Sequence, residues 1–173
     1  MKPHRERIID DVLTALADRA IQLVTKTNAA TFTHSKVKET DISRLRESEL
    51  GRDLTDIVLY IETDEVAKER AQQAITNVLT LLFKSPYMGD TPPPKEFYES
   101  DLGKLISQAY AKMYLNDLIS PGEALKQLQV SRQMLSNYVE SGQLIPVYLA
   151  GKTMFIGSQV EHLQQGRTQS SKR

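Results

Sequence analysis

Four polar side chains lie within one short stretch of the carboxy-terminal third of the chain, at Arg132, Gln133, Ser136 and Asn137. Arginine can donate two hydrogen bonds to guanine, glutamine or asparagine can pair with adenine, and serine can donate or accept. On one face of a helix, this set is what a protein presents to base edges in the major groove of double-stranded DNA. The alternative is an ordinary solvated helix face. The stretch therefore predicts a recognition helix, provided that neighbouring elements position it.

Capping residues mark the elements that would position this face. Ser120, Pro121 and Glu123 combine a serine cap, a proline at the first helical position and the glutamate of a capping box. Ser131 follows as a second cap, and Gly142 is placed to close the second helix in a left-handed conformation. We therefore predict two short helices that meet at a tight turn, with the polar face on the second.

A β-hairpin is predicted after the second helix. Two apolar runs, residues 145–149 and 154–156, flank a short turn that contains glycine. Lys152 and Thr153 lie at its tip, and Lys152 is expected to contact the sugar-phosphate backbone, which positions a protein without reading sequence. Otherwise Lys152 is simply the polar tip of the hairpin. Ser158 is expected to cap a last short helix.

One further pattern spans residues 119–163. Its members are Ser120, Glu123, Ala124, Leu128, Val130, Ser131, Arg132, Leu135, Tyr138, residues 142–146, Gly151, Phe155, Ile156, Val160 and Leu163. This pattern resembles the winged helix-turn-helix shared by phage and plasmid excisionases and by MerR-type transcription regulators, and covers about a quarter of the chain. The resemblance implies DNA binding, although such domains serve repressors, activators, recombination directionality factors and antitoxins alike.

The resemblance does not extend to the domain order of MerR proteins, whose DNA-binding domain is amino-terminal. Here the motif comes last, so the effector chemistry of that family is not carried over. The candidate DNA contacts are Ser131, Arg132, Gln133, Ser136, Asn137, Lys152 and Thr153.

The charge of the chain is segregated. The formal net charge is zero, which by itself argues against a nucleic-acid binder. From Ile119 onward, however, the chain is net positive by three. Arg167, Lys172 and Arg173 are available to follow the DNA backbone, although a solubilising tail is the commoner role.

Several classes of function are not expected. The chain has no cysteine, and His4, His34 and His162 lack ligand spacing, so we expect no metal site and no cofactor. Acidic pairs such as Asp10 and Asp11 occur without a nucleophile or a phosphate-binding glycine loop, so we do not expect an enzyme. No run approaches the roughly 18 apolar residues of a membrane span, and the amino terminus lacks the apolar core of a signal peptide. We expect a cytoplasmic protein.

Helical periodicity recurs in the rest of the chain. Apolar residues at three- and four-residue steps predict helices over residues 5–26, 66–83 and 97–115. Residues 57–61 have the composition of a buried strand but equally fit the first turns of a helix. Residues 31–34 fit a short strand, and the remainder of that region is not assigned.

A proline-rich stretch before residue 95 has the composition of a stiff linker and indicates a boundary. We predict a mainly α protein in four parts. They are residues 1–92, a mostly helical region for dimerisation or partner binding; residues 93–117, a connecting helix that packs on the next domain; residues 118–165, a winged helix-turn-helix with a small β-hairpin; and residues 166–173, a disordered basic tail.

These features predict a sequence-specific DNA-binding transcriptional regulator, most simply a homodimeric repressor. One short recognition helix and a wing offer few contacts, and symmetric pairing is the common way to add more. Two alternatives remain open. The first is an accessory DNA-binding factor of a mobile element, excisionase-like or an antitoxin, whose amino-terminal half binds a protein partner. The second is a protein-interaction module that binds no DNA, which the zero net charge favours.

Overall fold

The computed structural model describes residues 3–27, 39–85, 89–90 and 92–170. They are mainly helical and include a small three-stranded antiparallel sheet. The chain divides into two compact units, Met1–Val78 and Leu79–Arg173. This division lies inside a helix, and not in the proline-rich stretch where the sequence predicted a boundary. The strand predicted over residues 31–34 lies outside the described residues.

The first unit is built from helices. They are α1 (Pro3–Thr27), α2 (Glu39–Arg46), α3 (Glu49–Glu62) and the larger part of α4 (Lys68–Phe83). The first three pack on one another. Helices α1 and α4 confirm two of the helices that periodicity predicted.

The strand interpretation of residues 57–61 is wrong, because α3 contains them. Leu54, Ile57 and Val58 are fully buried, and Ile57 and Val58 lie three and four residues after Leu54, on the same helix face. Ser48 begins the helix, and its Oγ accepts a hydrogen bond from the backbone N–H of Gly51 at 3.2 Å. The cap and the helical spacing outweigh the β-branched composition.

One buried carboxylate joins α3 to α4. Asp53 is 2% exposed and accepts hydrogen bonds from Arg70 Nη2 at 2.8 Å and from Asn77 Nδ2 at 2.9 Å. Arg70 also donates from Nε to Asp56 Oδ2 at 2.7 Å, and this bond is the main cause that raises the pKa of the guanidinium. The Asp53 carboxylate is therefore buried with its hydrogen-bond partners in place.

The second unit contains the sheet. After the end of α4 it contains β1 (Lys84–Ser85), β2 (Gly89–Asp90), a 3₁₀ turn (Lys95–Glu99), α5 (Asp101–Met113) and a second 3₁₀ turn (Leu115–Asp117). The remaining elements are β3 (Leu118–Ile119), α6 (Pro121–Leu128), α7 (Arg132–Glu140), β4 (Pro146–Leu149), β5 (Lys152–Ile156) and α8 (Gly157–Ser170). β5 is the central strand, antiparallel to both β3 and β4. Phe155 lies opposite both Ile119 and Pro146.

Helix α5 packs on β4, as the sequence predicted for the connecting helix. The ring of Tyr98, just before α5, lies 5.7 Å from that of Tyr148 in β4, and burial raises the pKa of Tyr98 to about 12. The buried face of α5 includes Leu102, Leu105, Ile106, Ala109 and Met113. The predicted helix extended to Leu115, but α5 ends at Met113, and Leu115 is 65% exposed in the 3₁₀ turn that follows.

Helix α8 continues to Ser170, beyond the point where the sequence predicted a disordered tail. That prediction is therefore wrong for residues 166–170, and residues 171–173 lie outside the described part of the chain.

We predict that Asp53→Ala lowers the free energy of unfolding of the protein by about 1.5–3 kcal/mol, because it removes two hydrogen bonds to a buried charged group. Asp56→Ala removes a more exposed partner of the same arginine, and should cost less than about 1 kcal/mol. Urea unfolding followed by circular dichroism measures both. If both variants lost the same free energy of unfolding, burial of Asp53 would not determine how much this residue contributes to stability.

Candidate nucleic-acid interface

A small apolar core lies behind the polar helix face that the sequence singled out. Its buried members are Ala124, Leu128, Leu135, Leu144, Phe155 and Val160. Partly buried side chains complete it, and they are Ile119, Leu125, Val130, Tyr138, Val139 and Leu163. α6, α7, the β4–β5 hairpin and α8 therefore share one core, and Leu135 places the apolar side of α7 in it.

Helix α6 begins with the predicted capping box. Ser120 Oγ accepts from the backbone N–H of Glu123 at 3.3 Å, and the backbone N–H of Ser120 donates to Glu123 Oε2 at 2.7 Å. The bond from the Ser120 backbone is the largest cause that lowers the pKa of Glu123. The carboxylate form of Glu123 is thus part of the start of α6.

The turn between α6 and α7 is as tight as predicted. Gln129 ends α6 in the left-handed conformation at φ 53°, and the backbone N–H of Val130 donates to Leu125 O at 3.3 Å. Ser131 then caps α7, where its Oγ accepts from the backbone N–H of Met134 at 3.3 Å. Three residues therefore connect the two helices and fix the start of α7.

The outer face of α7 is polar and exposed. Gln133 Nε2 donates to Asn137 Oδ1 at 3.2 Å, so the two amides are aligned one turn apart. Ser136 Oγ donates to Glu140 Oε1 at 3.3 Å, and Arg132 is exposed at the start of the helix. The structure therefore brings together all four residues from which the sequence prediction began.

Glu140 is a member of this face that sequence reasoning missed. Glu140 entered the sequence analysis only through its charge. It lies four residues after Ser136, and this spacing places it on the same side of the helix. The face consequently carries a carboxylate as well as amides and a hydroxyl.

The glycine after α7 has two reasons to be glycine. Gly142 has φ 73°, as predicted for a left-handed residue, and a Cβ built on it would lie 2.8 Å from Cβ of Pro92. Its backbone N–H donates to Val139 O at 3.0 Å. A larger residue would strain the backbone and also displace Pro92.

The predicted hairpin is confirmed and ends in a two-residue turn. Leu149 pairs with Lys152, and the two residues between them have φ values of 50° and 75°, as the favoured tight hairpin turns require. Lys152 is exposed at the tip. Thr153 is half-buried opposite Tyr148, so it is the least accessible of the seven candidate contacts.

Helix α8 is bound to the carboxy-terminal end of α6. Gln164 Nε2 donates to Gln127 O at 2.8 Å, and Arg167 Nη1 donates to Leu128 O at 2.7 Å. These carbonyl groups belong to the last turn of α6, which has no further helical N–H groups to bind them. Arg167 was considered as a contact to the DNA backbone, but one of its nitrogens is used in this contact between helices.

A carboxylate from a distant part of the chain fixes the start of α8. Asp117 Oδ2 accepts from the backbone N–H of Ser158 at 3.1 Å and from its Oγ at 2.7 Å, across a separation of 41 residues. Ser158 was expected to cap this helix itself. Instead its hydroxyl donates to Asp117, and α8 begins at Gly157. No local pattern in the sequence indicates this pairing.

Two kinds of feature are of interest in the part of the chain that the structure describes, a cluster of metal ligands and a membrane-spanning helix. Within those ranges, no three side chains of the metal-binding types form a cluster that could hold an ion, and His162 is exposed. His34 lies outside them. None of the helices described is both long and apolar enough to cross a bilayer.

Comparisons with protein-family models, with curated proteins and with solved structures find no match to this chain. Its function is therefore inferred from the geometry of the interface.

We predict that Glu123 stabilises the protein more when it is ionised than when it is protonated. Because its folded-state pKa lies below the ordinary value of 4.5, this additional stabilisation is present above pH 4.5 and is lost as the pH falls through the lowered pKa. Glu123→Ala should therefore be less stable than the wild type at pH 7, and the difference should shrink at pH 3. Urea unfolding at both pH values tests this. A difference that is the same at both would contradict it.

Proposed function

We propose that residues 118–165 form a winged helix-turn-helix that binds double-stranded DNA by sequence. In this proposal α7 is the recognition helix and the β4–β5 hairpin is the wing. The observation that carries it is the aligned amide pair of Gln133 and Asn137 on the exposed face of α7, with the opposite face held in the core through Leu135. A rigid scaffold behind exposed donors and acceptors is what direct reading of bases needs.

The chemistry of the face suits the major groove. The amide of Asn137 or Gln133 can accept from adenine N6 and donate to N7, and the Arg132 guanidinium can donate twice to guanine. Ser136 can donate or accept. Glu140 can accept a hydrogen bond from the N4 amino group of cytosine. The hydrogen bonds now made within the face are exposed and would be exchanged for bonds to bases.

Contacts to the DNA backbone are proposed on either side of this face. Lys152 at the exposed tip of the wing would meet a phosphate. Ser131 uses its oxygen to cap α7 but keeps its own hydroxyl proton, which can be donated to a phosphate. Thr153 is a weaker member of the set because it is half-buried.

We further propose that the protein acts as a homodimeric repressor, with its amino-terminal helices providing the dimer contacts. The recognition helix has nine residues, and few cations lie beside it, so one copy makes few contacts. Two copies related by symmetry read two half-sites and double the contact set. An accessory factor of a mobile element would use the same DNA interface, with a protein partner in place of the second copy.

One observation favours a second candidate, a protein-interaction module that binds no DNA. Glu140 places a carboxylate on the exposed face of α7, and the chain has no net charge. A protein surface rich in amides and basic groups would tolerate Glu140 better than a phosphate backbone does. The two candidates therefore differ in which polymer this face binds.

Selection of bound sequences from random double-stranded DNA tests the proposal with the full-length protein. A palindromic consensus supports a dimeric regulator, and a single half-site supports DNA binding by one copy or with a partner. Failure to enrich any sequence at low and moderate salt would overturn DNA binding and leave the protein-interaction module.

We predict that Asn137→Ala and Lys152→Ala weaken DNA binding in different ways. Asn137→Ala should cost about 1–3 kcal/mol on the selected site and little on unrelated DNA, because it removes a base contact. Lys152→Ala should weaken binding to both alike and lower the salt slope by about one, because it removes a phosphate contact.

Fluorescence anisotropy over a salt series measures these effects. Lys104→Ala is the charge control, since Lys104 is an exposed lysine on α5 and is not one of the proposed contacts. If Lys104→Ala reproduced the effect of Lys152→Ala, the wing assignment would fail.

A further inference from the structure

Met134 is an exposed apolar side chain on an otherwise polar helix surface. It is 42% exposed in the first turn of α7. Among the described residues it does not belong to the apolar core of this unit or to the side chains packed against it. A single exposed apolar residue is common at a protein surface, so exposure alone has no functional meaning. The position of Met134 relative to the amide pair is what distinguishes it.

The amide pair and Met134 lie next to each other on α7. Met134 is three residues before Asn137 and one residue after Gln133, and residues three apart are neighbours on a helix surface. Its backbone N–H donates to Ser131 Oγ, which fixes the main chain at this position. The start of α7 therefore presents an apolar side chain beside two aligned amides.

An A·T base pair presents the matching arrangement in the major groove. Adenine offers the N7 acceptor and the N6 donor, and thymine offers O4 and the apolar C5-methyl group at the same edge. Amide side chains pair with adenine, and apolar side chains contact the thymine methyl. The surface at the start of α7 therefore matches A·T pairs in both its polar and its apolar parts.

We propose that Met134 is a specificity-determining residue that contacts the C5-methyl group of a thymine, in or beside the A·T pair read by Gln133 and Asn137. This inference rests on the proposed DNA-binding function. Methionine suits the role because its unbranched, polarisable side chain adapts to the small apolar surface of a methyl group. The first turn suits it because the amino-terminal residues of a recognition helix are those that reach base edges.

Replacing thymine by uracil removes only the methyl group and keeps every hydrogen-bonding group of the base pair. On the selected site, each thymine of both strands is replaced in turn, and binding is measured for the wild type and for Met134→Ala. We expect one uracil replacement in each half-site to weaken wild-type binding about fourfold, because the complex no longer buries one methyl-sized apolar group. Met134→Ala should bind the thymine site about as weakly as the wild type binds the uracil site. It should not distinguish uracil from thymine at that position.

Two further variants separate base contact from folding. Met134→Leu keeps an apolar side chain and should retain the preference for thymine. Leu115→Ala removes another exposed apolar side chain of the same unit and should leave both affinity and thymine preference unchanged. Thermal unfolding of all variants checks that each is folded.

The outcomes distinguish this inference from the function on which it rests. If no DNA sequence is selected, the DNA-binding proposal fails. If a site is selected but contains no thymine, or if Met134→Ala keeps the wild-type sensitivity to uracil, the Met134 contact is overturned while DNA binding stands.

Discussion

The packing of Leu135 against the other buried side chains of its core is the interaction on which the candidate interface depends. α7 has nine residues, and an isolated helix of this length is not stable in water. Burial of Leu135 among residues from α6, β5 and α8 holds it instead. Because this core is small, each helix contributes only one or two buried side chains, and the order of the polar face depends on all of them together. The exposed amides are thus placed by residues that never contact a ligand.

Local chemistry made much of this unit predictable. Ser120, Ser131 and Gly142 act on backbone groups a few residues away, so their roles follow from spacing alone. The contacts of Asp117 with Ser158 and of Arg167 with Leu128 join residues about 40 positions apart, and no local rule indicates them. Residues 57–61 were ambiguous for a related reason: their composition fits a strand, and only the distant cap at Ser48 and the burial of α3 decide for a helix. The four-residue spacing of Gln133 and Asn137 predicts that they are neighbours on the helix, but the hydrogen bond between their amides is seen only in the structure.

The structure also changes how the charges of the second unit are counted. The sequence treated Arg167 as part of a mobile basic tail, whereas its guanidinium binds the end of α6. Cations near a helix carboxy terminus stabilise the helix, so this arginine has a structural use. Because Arg167 binds the end of α6, fewer positive charges remain for phosphates than the net charge from Ile119 onward suggests. Glu140, which that net charge already includes, lies exposed on α7 itself. The proposed interface is therefore one in which base contacts matter more than general attraction to DNA.

This balance makes the amino-terminal unit central to the proposed function. Non-specific affinity for DNA comes almost entirely from neutralised phosphates, and a face with few cations gains little from it. Adding cations would raise affinity for all sequences alike and would not improve discrimination. Linking two interfaces multiplies affinity by about 10²–10⁴ and does so only where both half-sites match, because the second binding event becomes intramolecular. In the proposed function, a nearly neutral recognition surface would limit binding to unrelated DNA. Pairing of two copies through the amino-terminal helices would restore affinity at the correct site.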